Sequence, residues 1–264
     1  MHNRLENHLK RASVMTLSLT SLLLASCALN QTAHDHHAHS HKHRGHILAE
    51  ASPNIMPEFD IIHAKVTTDG SHLVFQQEVT GNIGTKHPKK AGKLGGAEVY
   101  SYVWPTKLNS AAVGFEKDSG ILALALTIHP DFDDTPLYDE DGDGNKKNDG
   151  DKWHSHWVVL VPDDTCGKGN LKVKDIATGS KPRLPKTWPG LPLFIDSPGY
   201  GFNMKKSEVL VRVPLKEMGF PSQFNFDGVT AGLKVHQQVH APLLCVTNVF
   251  DVGSGDLSLP GVSQ

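Results

Sequence analysis

The chain carries little net charge: 26 Lys and Arg against 28 Asp and Glu leave −2 with the histidines neutral. That argues against a nucleic acid or an anionic surface as partner. It has no apolar run long enough to cross a bilayer, because the longest, "ASVMTLSLTSLLL" at 12–24, has thirteen residues where a spanning helix needs about 20. It contains no G-x-S-x-G, no glycine-rich loop ending in G-K-[ST] and no H-E-x-x-H, so three common routes to catalysis find no support. No segment sustains a 3.6-residue apolar period between helix caps, although "ILALALTI" by itself is ambiguous. Cysteine is scarce as well, with three in 264 residues. A chain of this length makes one large domain or two small ones.

What is present begins with an address. Arg4, Lys10 and Arg11 precede the thirteen-residue apolar run, which ends in Leu24-Ala25-Ser26-Cys27. This motif resembles the lipobox of bacterial lipoproteins. The resemblance implies a signal peptide over 1–26, cleavage before Cys27, and lipidation of its sulfur. Several acyl chains would then hold the protein to a membrane of the bacterial cell envelope, facing the periplasm. Ala28 stands after the cysteine where an aspartate would mark inner-membrane retention, which in the enteric pattern implies the outer membrane. With Cys27 so used, Cys166 and Cys245 remain in an oxidising compartment and are expected to pair, which removes a thiol nucleophile.

Behind the anchor, "HDHHAHSHKHRGH" places seven histidines, His34, His36, His37, His39, His41, His43 and His46, within residues 34–46. Such a composition buries no core and reads as a flexible tether over 27–54. Imidazoles that are largely neutral near pH 7 can capture Zn²⁺, Cu²⁺ or Ni²⁺, whereas a plain spacer would need none.

From residue 55 to 264 the sequence reads as a single all-β domain. "IIHAKVTTDGSHLVFQQEV" alternates on both sides of Asp69-Gly70, a hairpin signal. Further strands are expected at 97–104, 121–129, 154–161, 170–176, 207–215, 229–239 and 243–250. Together these predict an antiparallel β-sandwich of about nine strands with long irregular loops. Residues 179–203, rich in Pro and Gly, are expected to form an ordered irregular loop pinned by Trp188 and Phe194. "KHPKKAGK" at 86–93 reads as a lysine-bearing loop.

One hairpin, 121–161, concentrates metal-ligand chemistry. Its arms end at His129 and begin at Trp153, and the 23 residues between them include "DEDGDGNKKNDGD". A loop that long in a compact domain is usually functional or disordered. Asp139, Asp141 and Asp143 followed by Gly144 form D-x-D-x-D-G, in which alternate carboxylates turn toward one hard cation and the glycine allows the turn that brings in the carbonyl of Asn145. The stretch resembles the calcium loops of EF-hand and related proteins over about a dozen residues. It departs from them at the twelfth position, where Gly150 replaces the bidentate Glu, so Asp149 or Asp151 is expected to supply that ligand. No helix signature flanks it. The resemblance therefore implies a structural Ca²⁺ loop set between strands.

The histidines form a second group. His154 and His156, two apart in "WHSHW", project from one strand face, with Trp153 and Trp157 on the other. Closing the hairpin brings His129 beside them. Three imidazoles suit zinc or copper, and Asp131, Asp133 or Asp134 can serve as a fourth ligand or fix a ring tautomer.

These features predict a non-enzymatic, periplasm-facing lipoprotein that captures or stores zinc or copper, with metal ions, the membrane and metal-transport or resistance proteins as partners. One alternative is a metal-dependent hydrolase on the same histidines. Another is a haem-binding β-sandwich, since "DGSHLVFQQEV" is generically similar to hairpins of periplasmic electron-transfer domains.

Overall fold

The computed structural model describes residues 45–236 and 242–264. Among them there are fourteen strands and no α-helix. These are β1 (Ile47–Leu48), β2 (Ile61–Thr68), β3 (His72–Val79), β4 (Glu98–Pro105), β5 (Ile121–Ile128), β6 (His154–Pro162), β7 (Leu171–Val173), β8 (Ile195–Asp196), β9 (Phe202–Lys205), β10 (Glu208–Pro214), β11 (Asn225–Phe226), β12 (Val229–Val235), β13 (Leu244–Val252) and β14 (Gly261–Val262). The nine strands expected from alternation are all present, and the other five have only two to four residues each.

The all-β, antiparallel character holds, in two main layers. One is a five-stranded sheet in the order β1-β2-β3-β10-β9. The other runs β5-β4-β12-β13-β7-β6-β8, and an added β5 to β6 pairing closes six of its strands into a barrel. The five-stranded sheet has a simple binary pattern. In β10 Val209, Val211 and Val213 are fully buried, while Arg212 faces water.

The ambiguous run "ILALALTI" is explained by closure. Leu122, Leu124 and Leu126 point into the core between sheet and barrel, while Ala123 and Ala125 point into the barrel. A strand covered on both faces loses its polar alternation, so it reads as a continuous apolar stretch. β6 follows the same rule, with Trp157 and Val159 toward the sheet and Val158 and Leu160 inward. The layers are joined by edge-to-face packing of Phe75 on Trp104 and Trp157, with centroids 6.0 and 5.9 Å apart. Two polar ties add to this: the Trp104 indole donates to the Gln76 carbonyl at 3.1 Å, and the Gln77 amide donates to the Val103 carbonyl at 2.7 Å.

Part of the span read as tether is built into the fold. Ile47 is buried, and β1 pairs with β2. The Pro/Gly-rich loop 179–203 contains β8, which pairs with the middle of β6, and Phe194 beside it is buried. Cys166 and Cys245 are joined in a disulfide across 79 residues, the expected pairing. Reduction should therefore lower the unfolding free energy by about 4–5 kcal/mol in the chain-entropy model. Guanidinium melts with and without reductant test this, and a loss below about 1 kcal/mol would show that the bridge is incidental to stability.

Candidate metal centre

Alternation along β5 carries one residue past its end, so that His129 faces into the barrel mouth. Antiparallel register sets Thr127 opposite His154 and Ala125 opposite His156, which brings both β6 imidazoles to the same place. Asp134 folds back from the loop that follows. The Nε2 atoms of His129 and His154 lie 2.8 Å apart. Oδ1 of Asp134 is 3.1, 3.2 and 3.3 Å from the Nε2 atoms of His129, His154 and His156. All four residues are buried. Together they form a His/Asp cluster that can hold a metal ion.

The protonation pattern follows from the far side of each ring. Nδ1 of His129 meets the Phe132 carbonyl at 2.8 Å, that of His154 the Lys152 carbonyl at 2.9 Å, and that of His156 the Asp196 carbonyl at 3.1 Å. A carbonyl oxygen only accepts, so each neutral imidazole carries its proton on Nδ1 and points a bare Nε2 lone pair inward. Neither His156 Nε2 nor Asp134 Oδ1 has a hydrogen-bond partner. Three lone pairs and a carboxylate meeting out of water repel one another unless a positive centre sits among them.

A proton can play part of that role. Burial lowers the His129 pKa, but the charge of the adjacent Asp134 carboxylate more than offsets this and leaves it raised. His154 is pulled down to about 4 by burial and by the charge of His129. Burial would raise Asp134, yet the flanking imidazoles hold it well below the usual carboxylate range.

The supporting residues come from segments with no sequence signal of their own. Phe132 stacks on His129 with centroids 4.0 Å apart, besides supplying its acceptor. Ser197 stands 3.2 Å from His156 Nδ1 and donates its hydroxyl to the Asp134 carbonyl at 2.8 Å, so one residue of the Pro/Gly-rich loop braces two cluster members. Backbone carbonyls carry no residue code, so nothing in the sequence pointed to Phe132, Lys152 or Asp196.

Of the three aspartates expected to be able to complete the cluster, only Asp134 does so. The Asp131 carboxylate accepts the backbone N–H groups of Ala91 and Gly92 at 2.8 and 2.7 Å, which ties down the lysine loop. Asp133 accepts from Thr135 and from the Asp149 backbone N–H, and so braces the acidic loop.

That loop brings its carboxylates together differently from the expected order. Asp139, Asp141 and Asp149 form one group and Asp133, Glu140 and Asp149 another. Glu140 was not anticipated, because it falls on a skipped position of D-x-D-x-D-G. Asp149 is fully buried, and its Oδ1 and both Glu140 oxygens lack partners. Asp143 is outside both groups, exposed and bonded to Asn145 N–H and the Asn148 amide. Asp151 is likewise outside, 3.5 Å from Lys152 Nζ, and Asn145 is exposed. Gly150 donates nothing to a cation but is required sterically: a Cβ there would stand 1.7 Å from the Phe132 carbonyl oxygen. The twelfth position has no room for a glutamate.

Of the histidine tract only His46 is among the described residues, with its Nδ1 3.2 Å from His63 Nε2. The signal segment, Cys27 and the other six tract histidines lie outside them. No protein-family model, curated protein or solved structure matches the chain.

Proposed function

We propose that the protein binds one transition-metal ion, zinc or copper, through His129, His154, His156 and Asp134, and that it captures or stores this metal as a lipid-anchored protein of the bacterial envelope. The observation that carries the reading is the convergence of three Nε2 atoms on one buried carboxylate oxygen. Four ligands at about 2.0–2.1 Å from a tetrahedral zinc lie roughly 3.3 Å from one another, and the closest contacts within the cluster are 2.8–3.3 Å. Imidazole with one carboxylate suits zinc and copper better than magnesium or calcium. Four protein donors fill the tetrahedron that a hydrolytic site would leave open, which favours holding the metal over using it. The proposal extends to a structural calcium ion on the acidic loop, supported by the partnerless oxygens of Asp149 and Glu140. The LASC motif and the histidine tract support envelope anchoring and metal collection.

The test is metal content by mass spectrometry on the chain from Cys27 onward, purified without chelator. The same measurement is made with His34, His36, His37, His39, His41 and His43 changed to alanine. One tightly held zinc or copper in both proteins, with extra weakly held metal only in the first, is the expected result. A tract variant with no transition metal would mean that the buried cluster is not a metal site.

A further inference from the structure

Inside the barrel the packing leaves a cavity of about 110 Å³. Natural cores seldom keep a void larger than a water molecule, and this one has a specific origin. Thr127 on β5 pairs with Ser101 on β4, which pairs with Ala231 on β12. Three small residues thus lie in one row across three neighbouring strands and line the cavity, with Ala125 beside them. Leucine or valine at these positions would be ordinary in a barrel interior. Away from the metal cluster the rest of the lining is apolar, with Val99, Val158, Leu193 and Ile195 among it.

The surface that the cavity presents is apolar. The Thr127 hydroxyl is buried and has no hydrogen-bond partner, whereas the neighbouring Ser101 hydroxyl donates to the Ala231 carbonyl at 2.9 Å. The cavity also reaches solvent, because Leu94, Val249 and Leu257, 37–49% exposed, are part of its wall. A concave, apolar wall of this kind suits an apolar small molecule.

We infer that the barrel interior binds a small, uncharged, apolar molecule. In volume the cavity is of the same order as an apolar cavity of about 150 Å³ that takes up benzene, which sets the ligand near the size of one ring. His129, Asp134 and His156 form part of the cavity wall.

The probes are phenol and benzene, titrated into the full metal-loaded chain and followed by thermal melting. At ten times Kd either ligand should raise Tm by about 3–6 °C. Benzene should bind more tightly than phenol, because the wall offers the phenol hydroxyl no partner. Ala231→Leu should abolish both shifts while keeping a cooperative melt, and Ala125→Val serves in its place if that protein does not fold. No shift with either probe overturns the proposal. So do shifts that survive the cavity-filling variants, and so does a response to decanoate alone, which would mark a groove for long chains. Metal content measured alongside separates this outcome from failure of the metal-site reading.

Discussion

Alanine at His156 should reduce the affinity of the protein for zinc by about 100-fold or more. Structural zinc sites are worth about 10–16 kcal/mol, so one of four ligands accounts for roughly 3 kcal/mol, and 1.4 kcal/mol is a factor of ten. His156 is the informative ligand because its Nε2 has no other partner and its ring is fixed from behind by Asp196 and Ser197. The loaded forms should differ in Tm far more than the metal-free forms, since binding stabilises only the folded state.

The same cluster sets the pH dependence. The pKa of His129 is raised in the metal-free fold. Its proton therefore stabilises that fold fully below the unfolded value of about 6.5, and the contribution is lost as pH rises through the higher folded value. Metal must displace this proton, so affinity should fall as the pH drops through that range, with about one proton released per ion bound. Calorimetry in two buffers of different ionisation heat reads the proton directly. Proton-free uptake, or an unaltered Kd in His156→Ala, would sink the assignment of these ligands.

The second large effect is expected at Gly150, a residue that touches no ion. A Cβ at this position would meet the Phe132 carbonyl oxygen at 1.7 Å, its carbon at 2.6 Å and the His129 carbonyl oxygen at 2.7 Å. All three are backbone atoms, so no rotamer change relieves the contact. The displaced carbonyl of Phe132 is the one that orients the His129 ring, and the Gly150 carbonyl in turn accepts the His129 backbone N–H at 2.8 Å. Gly150→Ala should therefore destabilise the domain by about 3 kcal/mol or more, a drop in Tm of roughly 6–12 °C. It should also weaken transition-metal binding by about 10–100-fold through loss of ligand support. Gly142→Ala is the control. There a Cβ meets nothing, although φ is +73°, so the expected cost is about 1 kcal/mol of backbone strain with metal binding intact. Equal behaviour of the two variants would show that the acidic loop does not hold the cluster.

This coupling explains why the cluster was only partly legible. H-x-H on a strand is readable because the side-chain period is two, and His129 joined it because an antiparallel hairpin brings its arm ends together. The choice of Asp134 over Asp131 and Asp133 was not readable, since all three are near in sequence and only the path of the loop decides which one turns inward. The acidic motif suggested carboxylates converging on one point. The structure instead brings in Glu140, leaves Asp143 in solvent and makes Asp149 common to two groups. A spacing rule taken from a loop between helices does not transfer to one closed against a β-hairpin.

By itself the sequence determined the nine principal strands, the pairing of the two cysteines and the three histidines that meet, because each depends on short-range alternation or on having few partners to choose from. Closure of the barrel, the cavity within it and the carbonyls that turn three imidazole lone pairs inward were decided only by the tertiary structure. They depend on strand register and backbone direction, which bring together residues from 127 to 231, and no local pattern of side chains encodes these.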